Sequence, residues 1–182
     1  AFDAPCVVET FIPFQKELAM IVARNPQGEI RTFPLVEMEF NPDANLVELL
    51  FSPAHVKDDV AIEASRIARL IVEASDFVGI LAVEFFLTQD GELIVNEMAP
   101  RPHNSGHHTI EANITSQYAQ HLRAICGLPL GDTTARSAAA MANILGAPDV
   151  EGPVCYEGMN EVLGMADVHV HLYGKSNTKP FR

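Results

Sequence analysis

The sequence has few cysteines, and it has no long apolar run. Cys6, Cys126 and Cys155 are far apart and form no CxxC pair, so neither a disulfide framework nor a zinc cluster is expected. Reduced thiols in a cytoplasmic protein are the simpler interpretation. No apolar run approaches the roughly 20 residues of a membrane helix, and no basic segment followed by an apolar core marks a signal peptide. We therefore expect no membrane association.

Basic residues are also scarce. Twelve Lys and Arg stand against 24 Asp and Glu, for a net charge of −12. Because a phosphate backbone requires clustered Lys and Arg, a broad nucleic-acid surface is not expected. A small phosphorylated ligand needs only a local basic pocket, and Lys175, Lys179 and Arg182 gather basic charge near the end of the chain. Without further context, a solvated tail is the favoured explanation of those three residues.

Three common catalytic or nucleotide-binding motifs are missing. The sequence contains no GxGxxG, no GxxxxGK[ST] and no GxSxG. It therefore lacks a dinucleotide fingerprint, a Walker loop and a hydrolase nucleophile elbow. Phosphate binding in this chain, if present, must be of another kind.

Two glutamates interrupt apolar runs on either side of a turn signal. Glu84 lies within Ile80 to Leu87, and Glu97 follows Leu93-Ile94-Val95. Asp90-Gly91 between them is a strong two-residue hairpin signal. If those two residues form the loop, Glu84 lies directly opposite Glu97, with Cβ atoms about 5 Å apart. Such a pair repels unless a cation lies between them, and Mg²⁺ prefers one or two carboxylates plus substrate phosphates.

This prediction depends on the register of the hairpin. A loop one residue longer on one strand would place the two glutamates on opposite faces. The alternative to a metal site is a pair of solvent-facing glutamates on an edge hairpin.

The order of elements predicts an α+β fold rather than a doubly wound sheet. A helix is expected from Lys57 to Ser75. Another is expected from a cap at Ser116 or Thr115 to about Cys126, with Tyr118, Leu122 and Ile125 on its buried face. A short helix is expected over 157–164, and 138–145 suits a strand or a helix. The expected strands are 6–12, 17–24, 29–40, 46–51, the hairpin 80–97, and 168–173.

Residues 100–107 are expected to form an irregular loop, because Pro100 and Pro102 forbid regular helix there. The loop carries Arg101, His103 and Asn104. With His107 and His108 nearby, zinc is an alternative, but no acidic or thiol ligand has the usual spacing. Another alternative is that residues 104–106 only make a turn and cap a helix.

These segments together resemble the N5-carboxyaminoimidazole ribonucleotide synthetase family of ATP-grasp enzymes. The resemblance spans nearly all 182 residues. One departure is His108, where relatives commonly carry an aromatic residue. The matching segments are Val83-Glu84-Phe85-Phe86, Asn96 to His107, Ser116-Gln117 with His121 to Ile125, and Leu172-Tyr173-Gly174-Lys175.

The resemblance implies a fold and a nucleotide site. It implies the C-terminal part of an ATP-grasp domain over 1–129, mainly an antiparallel sheet with helices, and a small mixed β C-terminal domain over 130–182. Glu84 and Glu97 correspond to Mg²⁺ ligands. The residues implied to contact ATP are Glu9, Phe11, Glu17, Asn96 and Glu97.

The resemblance also assigns the substrate loop. Arg101, His103 and Asn104 correspond to catalytic residues facing bicarbonate and aminoimidazole ribonucleotide. The residues implied to bind the ribonucleotide are His103, Asn104, Ser105, Lys175 and Arg182. We expect a fragment, inactive alone, since the family has further segments on both sides.

The implied reaction is ATP-driven carboxylation of aminoimidazole ribonucleotide through carboxyphosphate, in purine biosynthesis. The implied cofactors are ATP and Mg²⁺, and the implied partners are small-molecule substrates, a second copy in a homodimer, and the downstream mutase, by handover or fusion. Another ATP-grasp ligase, of transformylase or biotin-carboxylase type, and a non-catalytic nucleotide-binding module remain the alternatives.

Overall fold

The computed structural model describes residues 4–41 and 46–181. Its strands are β1 Phe14–Arg24, β2 Ile30–Thr32, β3 Val36–Asn41, β4 Leu46–Ser52, β5 Gly79–Thr88, β6 Leu93–Ala99, β7 Ala139–Ala142, β8 Gly152–Pro153 and β9 Asn177–Thr178. Its helices are α1 Asp58–Ala74, α2 Thr109–Ala112, α3 Gln117–Ile125 and α4 Met159–Leu163, with a short 3-10 turn at Asn104–Gly106.

One antiparallel sheet dominates the molecule. Its strand order is β6-β5-β1-β3-β4-β7, and β2 adds to β1 outside that path. β8 and β9 form a separate two-stranded sheet. The predicted α+β class, an antiparallel sheet with helices, is confirmed.

Helix α1 covers one face of the sheet. Its buried residues Ala64, Ala68 and Val72 recur every four positions, so they form one stripe along the helix. They pack against alternate residues of β1 and β5, among them Leu18 and Val83, since side chains on one face of a strand recur every two positions. The predicted helix from Lys57 to Ser75 is confirmed, with those two residues as its caps.

The other sheet face is shared between helix α3 and a polar region. Ala124 of α3 packs against Ile21 and Ile80 near one end of β1 and β5. Farther along the same face, Ala19 of β1 pairs directly with Glu84 of β5. This arrangement leaves Glu84 on the face that α1 does not cover, beyond the end that α3 covers.

Of the two candidate caps of α3, Ser116 is the one present, but the predicted buried face of this helix is wrong. The Ser116 side chain accepts a hydrogen bond from the Ala119 N–H. The buried residues are Gln117, Gln120 and Ala124, whereas the predicted set is exposed, at 37% for Tyr118, 59% for Leu122 and 49% for Ile125. Apolar periodicity failed here because two buried amides satisfy their hydrogen bonds within the protein.

Three strand predictions also need correction. Residues 6–12 form no strand, and Val8 and Phe11 are highly exposed. The segment 29–40 is two strands, since Pro34 between them has no N–H to donate. Residues 168–173 are not a strand. In contrast, β4 and α4 lie where a strand and a short helix are expected, and β7 settles 138–145 as a strand.

No helix in the described ranges combines the length and the apolar character that a membrane crossing requires.

Candidate nucleotide and metal site

The hairpin that carries both glutamates has a three-residue loop. The Thr88 N–H donates to the Glu92 carbonyl at 2.9 Å, so these two residues close the loop of Gln89, Asp90 and Gly91. Gly91 has φ +85, a left-handed conformation that glycine adopts without steric cost. The predicted two-residue loop is therefore wrong by one residue.

A β-bulge in β6 compensates for the longer loop. Near the turn, Phe85 pairs with Val95, and two residues farther along β5, Val83 pairs with Met98. One residue of β5 therefore lies between these pairs, against two residues of β6. Asn96 and Glu97 therefore both lie opposite Glu84, the two-against-one arrangement of a bulge. The bulge restores the register that places Glu84 beside Glu97. The expected juxtaposition is therefore present, but it results from a longer loop and a bulge that the sequence did not predict.

Glu84, Glu97 and His103 form one cluster of possible metal ligands. One ligand atom from each lies within 4.8 Å of the others. Glu84 is buried and Glu97 is exposed, so the cluster opens to solvent on the side of β6. His103 Nε2 lies 3.5 Å from Glu84 Oε1.

Burial and like charge shape the electrostatics of this cluster. Burial first, and then the charges of Glu97 and Glu17, raise the pKa of Glu84 to about 7, while Arg101 opposes the shift. Burial alone raises the pKa of Glu17. A carboxylate with this environment is poised to exchange its proton for a cation near neutral pH.

His103 is neutral and its ring orientation is fixed. Burial lowers its pKa, with Arg101 and His107 acting in the same direction. The Ser105 N–H donates to His103 Nδ1 at 3.3 Å, which leaves Nε2–H facing Glu84. Ser105 Oγ, 2.9 Å from Nδ1, can accept a hydrogen bond from Nδ1–H in the other tautomer, which leaves Nε2 as an acceptor.

Gln117 holds the main chain of His103, and sequence reasoning assigned it no role. Its Oε1 accepts from the His103 N–H at 2.9 Å, and its Nε2 donates to the His103 carbonyl at 2.7 Å. A glutamine directly after a helix cap is common on exposed helix surfaces, so its position in the sequence does not indicate that it is buried. Only the fold reveals that its side chain points at the loop.

The other predicted loop residues lie near the cluster. Arg101 is exposed and its guanidinium donates to the Pro102 carbonyl at 3.2 Å. Asn104 begins the 3-10 turn and is partly buried, and Ser105 is fully buried. The predicted irregular loop is confirmed, with this one short turn inside it.

The predicted nucleotide contacts are dispersed among the described residues. Glu9 and Phe11 are exposed in a segment without regular structure, and no hydrogen bond or ion pair described here joins them to the cluster. Glu17 lies on the same sheet face as Glu84, two residues before Ala19. Asn96 is exposed in the bulge.

Residues 171–173 near the end of the chain contact His107 of the loop and Glu111 of helix α2. The ring of Tyr173 lies 5.8 Å from that of His107, and His171 Nε2 lies 3.3 Å from Glu111 of α2. Lys175, two residues beyond Tyr173, is exposed. Arg182, the other predicted phosphate ligand, lies outside the described residues.

Comparison with protein families identifies the larger part of the chain. The sequence model of the ATP-grasp domain matches residues 1–118. The chain belongs to the ATP-grasp family. The model of the phosphoribosylaminoimidazole carboxylase C-terminal domain matches residues 139–182.

Individual relatives of this ATP-grasp chain agree with one another. It is 42% identical to the N5-carboxyaminoimidazole ribonucleotide synthase of Bacillus subtilis, over 97% of this chain and 44% of that protein. It superposes on the N5-carboxyaminoimidazole ribonucleotide synthetase structure from Thermotoga maritima with a TM-score of 0.88 and 46% identity, over 96% of this chain and 46% of that one.

A third relative was solved with ligands. The Aspergillus clavatus N5-carboxyaminoimidazole synthase, in complex with ADP and 5-aminoimidazole ribonucleotide, matches with a TM-score of 0.85 and 34% identity, over 94% of this chain and 46% of that one. The chain thus spans less than half the length of the relatives it matches.

Proposed function

We propose that the complete protein containing this chain is an ATP-grasp ligase that carboxylates 5-aminoimidazole ribonucleotide with bicarbonate, forming N5-carboxyaminoimidazole ribonucleotide in purine biosynthesis. The observation that carries the proposal is the convergence of Glu84, Glu97 and His103 within 4.8 Å, at the foot of the Arg101 loop. The names of the relatives, and the ligands in the Aspergillus clavatus complex, supply the substrate class.

The donor set of the cluster fits Mg²⁺. Two carboxylates are hard oxygen ligands of the kind Mg²⁺ prefers, whereas imidazole suits softer metals. Glu84 and Glu97 would therefore hold the ion, and His103 would lie beside it. When bound, Mg²⁺ would offset the negative charge of the ATP phosphates.

The reaction needs two displacements. An oxygen of bicarbonate attacks the γ-phosphorus of ATP and ADP leaves, which gives carboxyphosphate. The 5-amino nitrogen then attacks its carbonyl carbon and inorganic phosphate leaves. Phosphoryl transfer of this kind depends mainly on positioning and positive charge.

The loop residues suit those tasks. The exposed guanidinium of Arg101 would orient bicarbonate, since planar donors match planar oxyanions. Neutral His103 would hold or accept a proton near the reacting amine, and Asn104 would bind the ribonucleotide beside it.

The remaining residue roles are part of the same proposal. Glu17 and Asn96 would contact the nucleotide, and the first shares the sheet face of Glu84. The assignments of Glu9, Phe11, Ser105, Lys175 and Arg182 derive from the family resemblance. The division into 1–129 and 130–182, a homodimer, and handover to or fusion with the downstream mutase also stay proposals.

We also propose a cytoplasmic location. All three cysteines are free and exposed, as reduced thiols are in a reducing compartment.

The test uses the full-length protein, assayed for ADP formation with bicarbonate, with and without aminoimidazole ribonucleotide. We expect strong stimulation by the ribonucleotide in the wild type and its loss in Glu97→Gln, which keeps the shape of the side chain and removes its charge. ATP turnover indifferent to the ribonucleotide would favour another ATP-grasp ligase. Nucleotide binding without any turnover would favour a non-catalytic module.

A further inference from the structure

Helix α3 buries two glutamines completely. Gln117 and Gln120 both have 0% exposed surface. Burying an amide is costly unless its hydrogen bonds are satisfied. Each glutamine satisfies them by hydrogen bonding to the N–H and the carbonyl of one loop residue. Gln120 binds the N–H and carbonyl of Gly131 at 2.8 and 3.1 Å, whereas Gln117 binds both main-chain groups of His103.

The orientation of the Gln117 amide follows from its partners. The N–H of His103 can only donate, so it fixes Oε1, and the carbonyl can only accept, so it fixes Nε2. The second hydrogen of Nε2 points at His107 Nδ1, 3.0 Å away. Tyr118 Oη lies 2.8 Å from the same nitrogen. Gln117 thus engages two of the loop histidines.

The loop is built to admit this side chain. A Cβ on Gly106 would lie 2.4 Å from Gln117 Oε1, so only glycine fits there. The main-chain N–H of Gln117 donates to Thr109 Oγ1 at 2.8 Å, and that hydroxyl donates to the Gly106 carbonyl at 2.5 Å. The glutamine is therefore held at both its main chain and its side chain.

We propose that Gln117 is a positioning residue, which fixes the His103 backbone so that the imidazole faces Glu84 at the metal cluster. The proposal deepens the function proposed above and rests on it for the reaction affected. Gln117 does not touch the reacting groups itself. His103 lies 3.5 Å from Glu84, one of the two proposed ligands, and residues that orient a metal ligand commonly affect metal affinity or activity by 10- to 100-fold.

Gln120 provides a matched control. Gln117→Met and Gln120→Met remove the same chemical group from the same helix at the same burial, and each leaves one backbone N–H unpaired. The His103 carbonyl keeps the Gly106 N–H at 2.9 Å, so the Gln120 control loses at least as much backbone hydrogen bonding. Both full-length variants should lose thermal stability. Only Gln117→Met should lower the ribonucleotide-dependent kcat by about 10-fold or more while changing KM for ATP by less than about threefold.

A second measurement needs no turnover. We expect Gln117→Met to weaken Mn²⁺ binding to the full-length protein by about 10-fold, measured by electron paramagnetic resonance, and Gln120→Met to leave it within about twofold.

Equal effects of Gln117→Met and Gln120→Met on both kcat and Mn²⁺ affinity would overturn the positioning role and leave Gln117 purely structural. If the wild type shows no stimulation by the ribonucleotide, the proposed function fails instead. In that case the Mn²⁺ comparison alone decides whether Gln117 positions His103.

Discussion

At the residue scale, Glu84 is the group whose environment departs most from that of an ordinary carboxylate. Its pKa is raised to about 7 from 4.5, first by burial and then by Glu97 and Glu17. Between those two pH values the folded protein holds a proton that the unfolded chain has released. The contribution of Glu84 to stability therefore falls as pH rises through this window.

Cation binding at Glu84 should release this proton. We expect Mg²⁺ affinity of the full-length protein to rise from pH 6 to pH 8, and the proton release per bound ion to fall from about one near pH 6 to almost none at pH 8. Titration calorimetry in two buffers of different ionisation enthalpy measures the released proton. Glu84→Gln should abolish the release, and identical heats in the two buffers for the wild type would contradict the assignment.

His108 shows a different consequence of burial. It is buried, with no well-formed hydrogen bond at either ring nitrogen among the described residues. Burial lowers its pKa to about 4, although an interaction with the Ser105 backbone opposes the shift. Between about pH 4 and pH 6.5, His108 is protonated in the unfolded chain but neutral in the folded protein. Stability should therefore decrease as pH falls from about 6.5 to 4.

An aromatic side chain should fit this site better. We expect His108→Phe to raise the free energy of unfolding by about 1–2 kcal/mol at pH 7, since it removes two unsatisfied polar atoms. The gain should be larger at pH 5. Thermal unfolding of both proteins at the two pH values measures it, and a stability gain independent of pH would rule out the titration of His108 as its source.

At the element scale, the hairpin shows how far sequence can predict a site. The turn signal at Asp90-Gly91 correctly located the hairpin, and the apolar runs located its strands. The loop length was wrong by one residue, and the bulge at Asn96 and Glu97 was invisible because no residue there requires it. The longer loop shifts the register by one residue, and the bulge shifts it back, so that Glu84 lies beside Glu97. The sequence predicted neither of these two features.

The 3-10 turn and helix α3 interlock through Gly106. In Gly106→Ala the new Cβ would meet Gln117 Oε1 at 2.4 Å, and that side chain is pinned, so we expect a loss of about 1–3 kcal/mol in stability. Gly131→Ala is the control, because its Cβ would meet Thr115 Oγ1 at the same 2.4 Å.

Both glycine variants should have lower melting temperatures by calorimetry. Only Gly106→Ala should also lose ribonucleotide-dependent turnover, since its clash displaces the residue that grips His103. A Gly106→Ala protein that keeps full turnover would show that this interlock does not matter for the site.

At the scale of the whole molecule, periodicity predicted the regular core and failed at its margins. Helix α1 follows a period of about 3.6 residues, whereas strand β1 is a continuous apolar run buried on both faces. Both elements, and β4, lie where they are expected. Segment 6–12 has strand-like composition, yet Val7 is 87% exposed and Val8 is 94% exposed. A strand needs a neighbour to complete its hydrogen bonds, and composition does not say whether one is there.

The 182-residue chain spans 44% of its Bacillus subtilis relative. We expect the purified chain alone to show no bicarbonate-dependent ATP hydrolysis above background, because further segments would contribute to ATP binding. A coupled assay for ADP, with the full-length protein as positive control, measures this. Bicarbonate-dependent ATP hydrolysis by the chain alone that is detectable above background would refute the expectation.

The proposed carboxylation is tested most directly by following the oxygen atoms of bicarbonate into the products. With ¹⁸O-labelled bicarbonate, ATP and aminoimidazole ribonucleotide, the full-length protein should form inorganic phosphate that carries one ¹⁸O atom, visible as an isotope shift in ³¹P NMR. That result requires bicarbonate to attack ATP and phosphate to leave from carboxyphosphate. Phosphate without the label, formed at a rate indifferent to the ribonucleotide, would contradict the proposed carboxylation.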